Sequence, residues 1–155
     1  MRNVIVVALG SGRYAIDLRW VQEIFTLTHL TPIPTAPPSV AGAVNFRGAI
    51  LPVLAIAPLV AATHGGPSPT TRPAAPGDTV VLLDVNGARA GVTVDRVDAV
   101  SSLVTAPDGE SVVDAAGRDV PLIDPQAMLE AARRQVAEAA VESARLLGGG
   151  GRVDG

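Results

Sequence analysis

Residues able to do chemistry are few in this chain, and they are scattered. His29 lies beside a proline-rich stretch, and His64 stands next to Gly65-Gly66. Neither falls in a metal-ligand spacing, so both read as surface residues. Asp95 and Asp98 in VDRVDAV suggest a paired-carboxylate site at first sight. Three residues apart on an extended chain, however, they point to different faces and read as solvated turn residues. Serine, aspartate and histidine are all present, but no G-x-S-x-G nucleophile elbow occurs. The run Gly148–Gly151 follows a helix instead of opening one and has no accompanying cation, so it is no phosphate loop. What remains is an arginine at a predicted hairpin bend, Arg47, and a glutamate in VQEI, Glu23. A guanidinium is a planar fork that can hold a carboxylate through two bonds. An exposed pair of this kind contributes only about 0–1 kcal/mol, so its use would be to orient side chains toward a partner. Taken alone, the ordinary reading of Arg47 is a solvated turn residue.

Composition narrows the field further. All 12 basic residues are arginine, so there is no Walker A lysine and no Schiff base. With no cysteine, thiol nucleophiles, disulfides and thiolate metal sites are excluded. Neither a metal nor any other cofactor is expected. The net charge of −3 has the wrong sign for a phosphate-binding surface, and at 3% aromatic residues there is no base-stacking platform, so nucleic acid is not a partner. The 155 residues suffice for one domain or two small subdomains, and 48% hydrophobic content predicts a folded chain. The first apolar run, Val4–Leu9, is too short for a membrane span or a signal h-region, so a cytoplasmic protein without membrane insertion is expected.

The elements that would carry these residues are mostly strands. Val4–Leu9, a Gly10-Ser11-Gly12 turn and the alternating Arg13–Leu18 form a first hairpin. Trp20–Phe25 fits either a helical turn or a strand. Thr31–Ser39 is proline-rich and should run extended over the surface. Gly42–Phe46 and Ala49–Ile56 flank Arg47-Gly48 as a tight hairpin, with Pro52 marking an edge. Residues 61–78 read as a linker between two β-rich halves. Thr79–Val85 and Ala88–Val94 flank Asn86-Gly87, the strongest short hairpin signal in the chain. Val97 and Val100 continue a strand, and a last hairpin spans Val112–Ile123. Asp124 and Pro125 open a helix expected over 124–147, with Met128, Leu129, Ala132, Val136, Ala139 and Ala140 on its apolar face and Glu130 paired to Arg133 or Arg134. Residues 148–155 are expected to be a flexible tail.

Four segments, in order, resemble the CheW family of chemotaxis coupling proteins. They are Y-x-I-D-L-x-x-V-x-E-I at Tyr14–Ile24, V-x-G-x-V-N-x-R-G-x-I-x-P-V at Val40–Val53, VVLLDVNGARAGVTVDRVDAV at Val80–Val100 and PLIDPQAML at Pro121–Leu129. The resemblance implies a mainly β fold of two small SH3-like five-stranded β-barrels with a C-terminal α-helix, within a domain of residues 1–130. It implies a non-catalytic adaptor of a bacterial chemosensory array. The partners would be chemoreceptor cytoplasmic tips, the regulatory domain of a CheA-type histidine kinase and other CheW-like proteins. It implies that Glu23 and Arg47 pair near the functional surface, and that Gly42, Asn45, Arg47 and Gly48 surround partner contacts. A receptor groove between the barrels would include Val21, Ile24, Val94 and Val97.

The chain departs from the family pattern in two places. Ala55-Ile56-Ala57 stands where an Asp-Leu-Arg-like sequence is usual, and the short stretch Ser101–Arg118 suggests a truncated second barrel. Both point to an accessory form, of the FrzB type, that binds receptor but holds the kinase weakly or not at all. The competing readings are a full receptor–kinase coupler and, from another class, a small β-barrel ligand-binding domain or enzyme. The missing lysine, cysteine and histidine cluster count against that last reading.

Overall fold

Strand β1 (Arg2–Leu9) has no exposed face from Val4 onward. The reason is its place in the molecule: Ile5, Val7 and Leu9 enter one hydrophobic cluster, while Val4 and Val6 enter another on the opposite side. A strand covered on both faces reads as a continuous apolar run instead of an alternation. The computed structural model describes residues 1–64 and 73–151.

After β1 come β2 (Gly12–Asp17), a single 3-10 turn at Leu18–Trp20 and β3 (Val21–Thr26). The WVQEIF segment is thus a helical turn followed by a strand. The hairpin β4 (Val40–Phe46) and β5 (Ala49–Ala55) leads into a helix, α1 (Ile56–His64). Then follow β6 (Thr79–Val85), β7 (Ala88–Val94), β8 (Arg96–Thr105), β9 (Ser111–Val113), β10 (Asp119–Pro121) and α2 (Pro125–Gly151).

Two five-stranded sheets result, with orders β10-β9-β8-β1-β2 and β3-β6-β7-β5-β4. The expected pair of five-stranded units is present, but they are not the two halves of the chain. The first sheet joins the N-terminal hairpin to the C-terminal strands, and the second is inserted between them. In chain order the segment 61–78 therefore stands between β5 and β6, two strands of the second sheet, and residues 65–72 of that expected linker lie outside the described residues. Its first four residues are the last turn of α1, because Ile56, Ala57, Leu59 and Val60 provide an apolar face for the core.

The expected truncation is also absent as a strand count. β9 and β10 have three residues each, and β8 compensates by its length. Seven of its first eight residues pair with β1, Asp98 standing at a register shift, and Val104 and Thr105 pair with β9. The main core lies between the sheets and under both helices, with Ile16, Leu54, Leu59, Val92 and Met128 together in one cluster. Pro52 pairs with Ala43 just before the stretch Val53–Ala55 that pairs with β7, so its missing N–H costs no bond to that neighbour.

Asp124 caps α2, its carboxylate accepting the Gln126 N–H at 3.0 Å. The helix runs to Gly151, past the expected end at Leu147, since glycine weakens a helix without obliging it to stop. Residues 152–155 lie outside the described residues. Along α2, Met128, Leu129 and Ala132 are buried, but Val136 and Ala140 are exposed. Glu130 forms no ion pair with Arg133 or Arg134 among the described residues; Arg145 and Glu142 pair instead, at 3.3 Å.

Candidate functional site

Arg47 and Gly48 form the two-residue loop between β4 and β5. Both have positive φ, 51° and 85°, as a type I′ turn requires. Asn45 stabilises the turn from within: its Oδ1 accepts the Gly48 N–H at 3.0 Å. A Cβ at Gly48 would meet nothing within 4 Å, so the glycine serves the backbone twist and fills no tight space.

The hairpin delivers Arg47 to the edge strand β3. Its Nη2 lies 3.0 Å from Glu23 Oε1, while the arginine side chain stays 72% exposed. The guanidinium also sits over the Phe46 ring, 4.8 Å from its centroid. Phe46 in turn stacks on Phe25, with centroids 4.6 Å apart. The only two phenylalanines of the chain thus meet beneath this arginine. Phe46 belongs to the bend picked out in the sequence, but Phe25 was not singled out there. One signal for Phe25 was available: two residues after Glu23 on a strand, it shares that residue's face. Ile50 was missed as well; it pairs with Asn45 and is 70% exposed beside the turn.

The remaining expected residues divide. Val21 and Val97 come from different sheets and pack against the same inter-sheet core. Ile24 is 42% exposed on β3, and Val100, also exposed, lies on β8. Val94 does not join them at the surface: it is 4% exposed and belongs to the core. It packs in the inter-sheet core together with Ala90 and Val92 of the same strand. Gly42 is buried too, at the far end of the hairpin. A Cβ there would approach Thr31 O at 2.6 Å, because residue 31 bridges to Ala43. Its glycine makes room for a crossing chain.

Asp98 is also not a solvated turn residue. It lies in β8, 3.2 Å from Arg13 Nε and 2.6 Å from Arg96 Nε. Asp95, at the bend before β8, accepts the Gly10 N–H at 2.7 Å. Arg13 continues to Asp114 at 2.9 Å. The Arg118 N–H, the Arg13 side chain and the Ala116 N–H hold the Asp114 carboxyl below its ordinary 3.8 against a smaller opposing effect of desolvation. These groups tie β2, β8 and the β9–β10 turn together.

A polar cleft of about 400 Å³ lies between the first hairpin and the start of α2, lined by Arg2, Asp17, Arg19 and Glu110 among others. Burial pushes the Asp17 carboxyl up, but the Arg19 N–H, the Arg19 guanidinium and Arg2 outweigh it, and the net shift is downward. Asp17 is an ion-paired anion, not a group poised to exchange protons near neutrality.

A model described as the CheW-like domain matches residues 3–133. The chain belongs to the CheW-like domain family. The CheW-like chain is 30% identical over 107 residues to the chemotaxis protein CheW of Rhizobium meliloti (strain 1021), covering 69% of this chain and 63% of that protein. It is 29% identical over 99 residues to the chemotaxis protein CheW of Treponema pallidum (strain Nichols), covering 61% of this chain and 54% of that one. It thus spans less than two thirds of the length of these relatives. Among solved structures it resembles the scaffolding protein TtCheW from Thermoanaerobacter tengcongensis, with a TM-score of 0.63, 20% identity and coverage of 79% of this chain and 88% of that chain. That likeness shows the fold: the CheW-like domain has the two-barrel architecture expected from its sequence motifs. Among the described residues, no helix is long and apolar enough to cross a membrane.

Proposed function

We propose that the chain is a non-catalytic adaptor of a bacterial chemosensory array, joining chemoreceptor cytoplasmic tips to a CheA-type histidine kinase. The observation that carries this reading is Arg47. Its guanidinium is oriented by Glu23 and by Phe46, yet it protrudes at a hairpin bend. A guanidinium has five donors, and although Nη2 lies 3.0 Å from Glu23 Oε1 the arginine side chain is 72% exposed, so donors remain on offer to a partner. Such a group is pre-organised for a partner carboxylate, which lowers the entropic cost of docking. The exposed Ile24 and Val100, with Val21 and Val97 beneath, supply the apolar contact a receptor helix needs. In this reading the protein sits at the array in the cytoplasm and holds no cofactor.

Both sheets keep five strands, so the reason for expecting kinase binding to be lost through truncation is gone. One observation still favours an accessory form that prefers receptor. Ala55 and Ala57 stand where the family usually has Asp and Arg, and Ala57 is buried at the start of α1, so those charged contacts are absent here. Calorimetric titration of the full chain against a receptor-tip fragment and a kinase regulatory domain separates the two. Binding to both marks a full coupler, and binding to receptor alone marks the accessory form. Binding to neither overturns the adaptor reading.

A further inference from the structure

The apolar face of α2 is only partly used by the core. Beyond Ala132 the helix leaves the sheets, and Val136 is 47% exposed. Opposite it runs the proline-rich segment 33–37, and between them lies a groove of about 520 Å³. Leu54 and Ala90 form part of its floor, and Leu129, Val136 and Ala140 line the helical wall.

The charge of the groove sets it apart from the rest of the chain. Its lining includes Arg89 and Arg133 and no aspartate or glutamate, although the chain as a whole carries net charge −3. Neither arginine has an ion-pair partner among the described residues. Arg89 is half-buried, and Asp84, opposite it on β6, accepts the Gly87 N–H at 2.8 Å and forms no ion pair with Arg89. Arg133 is exposed, and carboxylates from outside can pair with both arginines.

The dimensions suit a helix. From Leu129 to Ala140 the wall is about 16 Å long at about 1.5 Å per residue, or three turns. Alanines at 132, 137 and 140 along this wall let a second helix approach to about 8 Å. We propose that the groove docks an acidic amphipathic helix of a partner protein, its apolar face on Val136 and Leu54 and its carboxylates on Arg89 and Arg133. The site is separate from the Arg47 bend. Val40 and Leu54 pair at the opposite end of the β4–β5 hairpin, about 20 Å away along the strands.

The test is selection of a displayed library of peptides about sixteen residues long, enough to span the wall, against the full chain. Recovered peptides are then titrated by fluorescence anisotropy. Expected binders carry apolar residues at i, i+3 or i+4, and i+7, together with Asp or Glu. Their affinity should fall at least about tenfold with Arg133→Glu or Val136→Asp, fall with added salt, and be unaffected by Arg47→Ala. Both groove positions are exposed, so the variants should fold; Arg133→Gln replaces Arg133→Glu if circular dichroism shows otherwise. Recovery of no binder, of neutral or basic peptides, or of peptides insensitive to the groove variants overturns the proposal. A dimer in sedimentation that Val136→Asp dissolves also overturns it, by making a second copy the occupant.

Discussion

Arg47 Nη2 lies 3.0 Å from Glu23 Oε1, so the bend of the β4–β5 hairpin is tied to the edge strand β3, from which β6 and β7 separate that hairpin in the sheet order. The sheet curls until its two edges meet through side chains, with Phe25 on Phe46 beneath the ion pair. That closure exposes Arg47 in a fixed orientation.

Because the pair is exposed, Arg47→Ala should change folding stability by less than about 1 kcal/mol. Binding to the receptor tip or the kinase domain should weaken by about tenfold or more. Urea unfolding measures the first and calorimetry the second. A variant that unfolds would make Arg47 a structural residue.

Phe25→Ala should have the reverse signature. Removing one ring of the stack costs about 2–4 kcal/mol, since the ring is partly buried against the second core. Phe25→Leu keeps most of the apolar contact, so it should retain most of that stability and still loosen Arg47. A fall in partner affinity at near-normal stability would be seen with Leu and not resolved with Ala.

Val94 stands at 4% exposure in the inter-sheet core. Val94→Asp should destabilise by at least several kcal/mol, because the carboxylate has no partner there. Chemical denaturation or loss of soluble expression reports it. A soluble, cooperatively folded Val94→Asp would contradict the interior place of β7.

Gly42 and Gly91 should each resist substitution by alanine. The added methyl would meet Thr31 O at 2.6 Å in one case and Val80 Cγ1 at 2.7 Å in the other. The first clash is with backbone and the second with a side chain packed in the core, so each substitution should cost about 1–3 kcal/mol. Gly48→Ala meets no such neighbour and should show only the smaller strain of its positive φ, read from the same unfolding curves.

Asp114 and Asp17 both have carboxyls held below their ordinary 3.8 in the folded chain. A lowered folded value means that the unfolded chain takes up protons first as pH falls. The stability they contribute is therefore complete above that ordinary value and is lost as pH drops through the lowered one. Asp114→Asn should flatten this acid limb and release Arg13 and Arg118. Thermal unfolding between pH 2 and 7 checks the slope.

Much of the local structure was legible because it depends on neighbours in sequence. Arg47-Gly48 and Asn86-Gly87 specify I′ turns through their own φ values, and Asp124-Pro125 specify a helix start through one cap and one ring. The resemblance to the CheW family likewise implied the pairing of Glu23 with Arg47. Strand partnership was not legible. β1 and β6 are buried on nearly every residue, so alternation could not show which side faced which core. For the same reason the linker read like a boundary between sheets; Val94 was placed in the receptor groove by the family resemblance alone, and its depth came only from the packing.

The sequence by itself determined the short-range backbone choices and, through its ordered motifs, the family. Only the tertiary structure decided that the first sheet is built from both ends of the chain, that Asp98 is ion-paired, and that Phe25 and Phe46 underlie Arg47. It also decided that half of the apolar face of α2 is left open beside two unpaired arginines. These are outcomes of contacts between residues far apart in sequence. Local propensity carries no record of them, because loop closure and the packing of whole faces select them together.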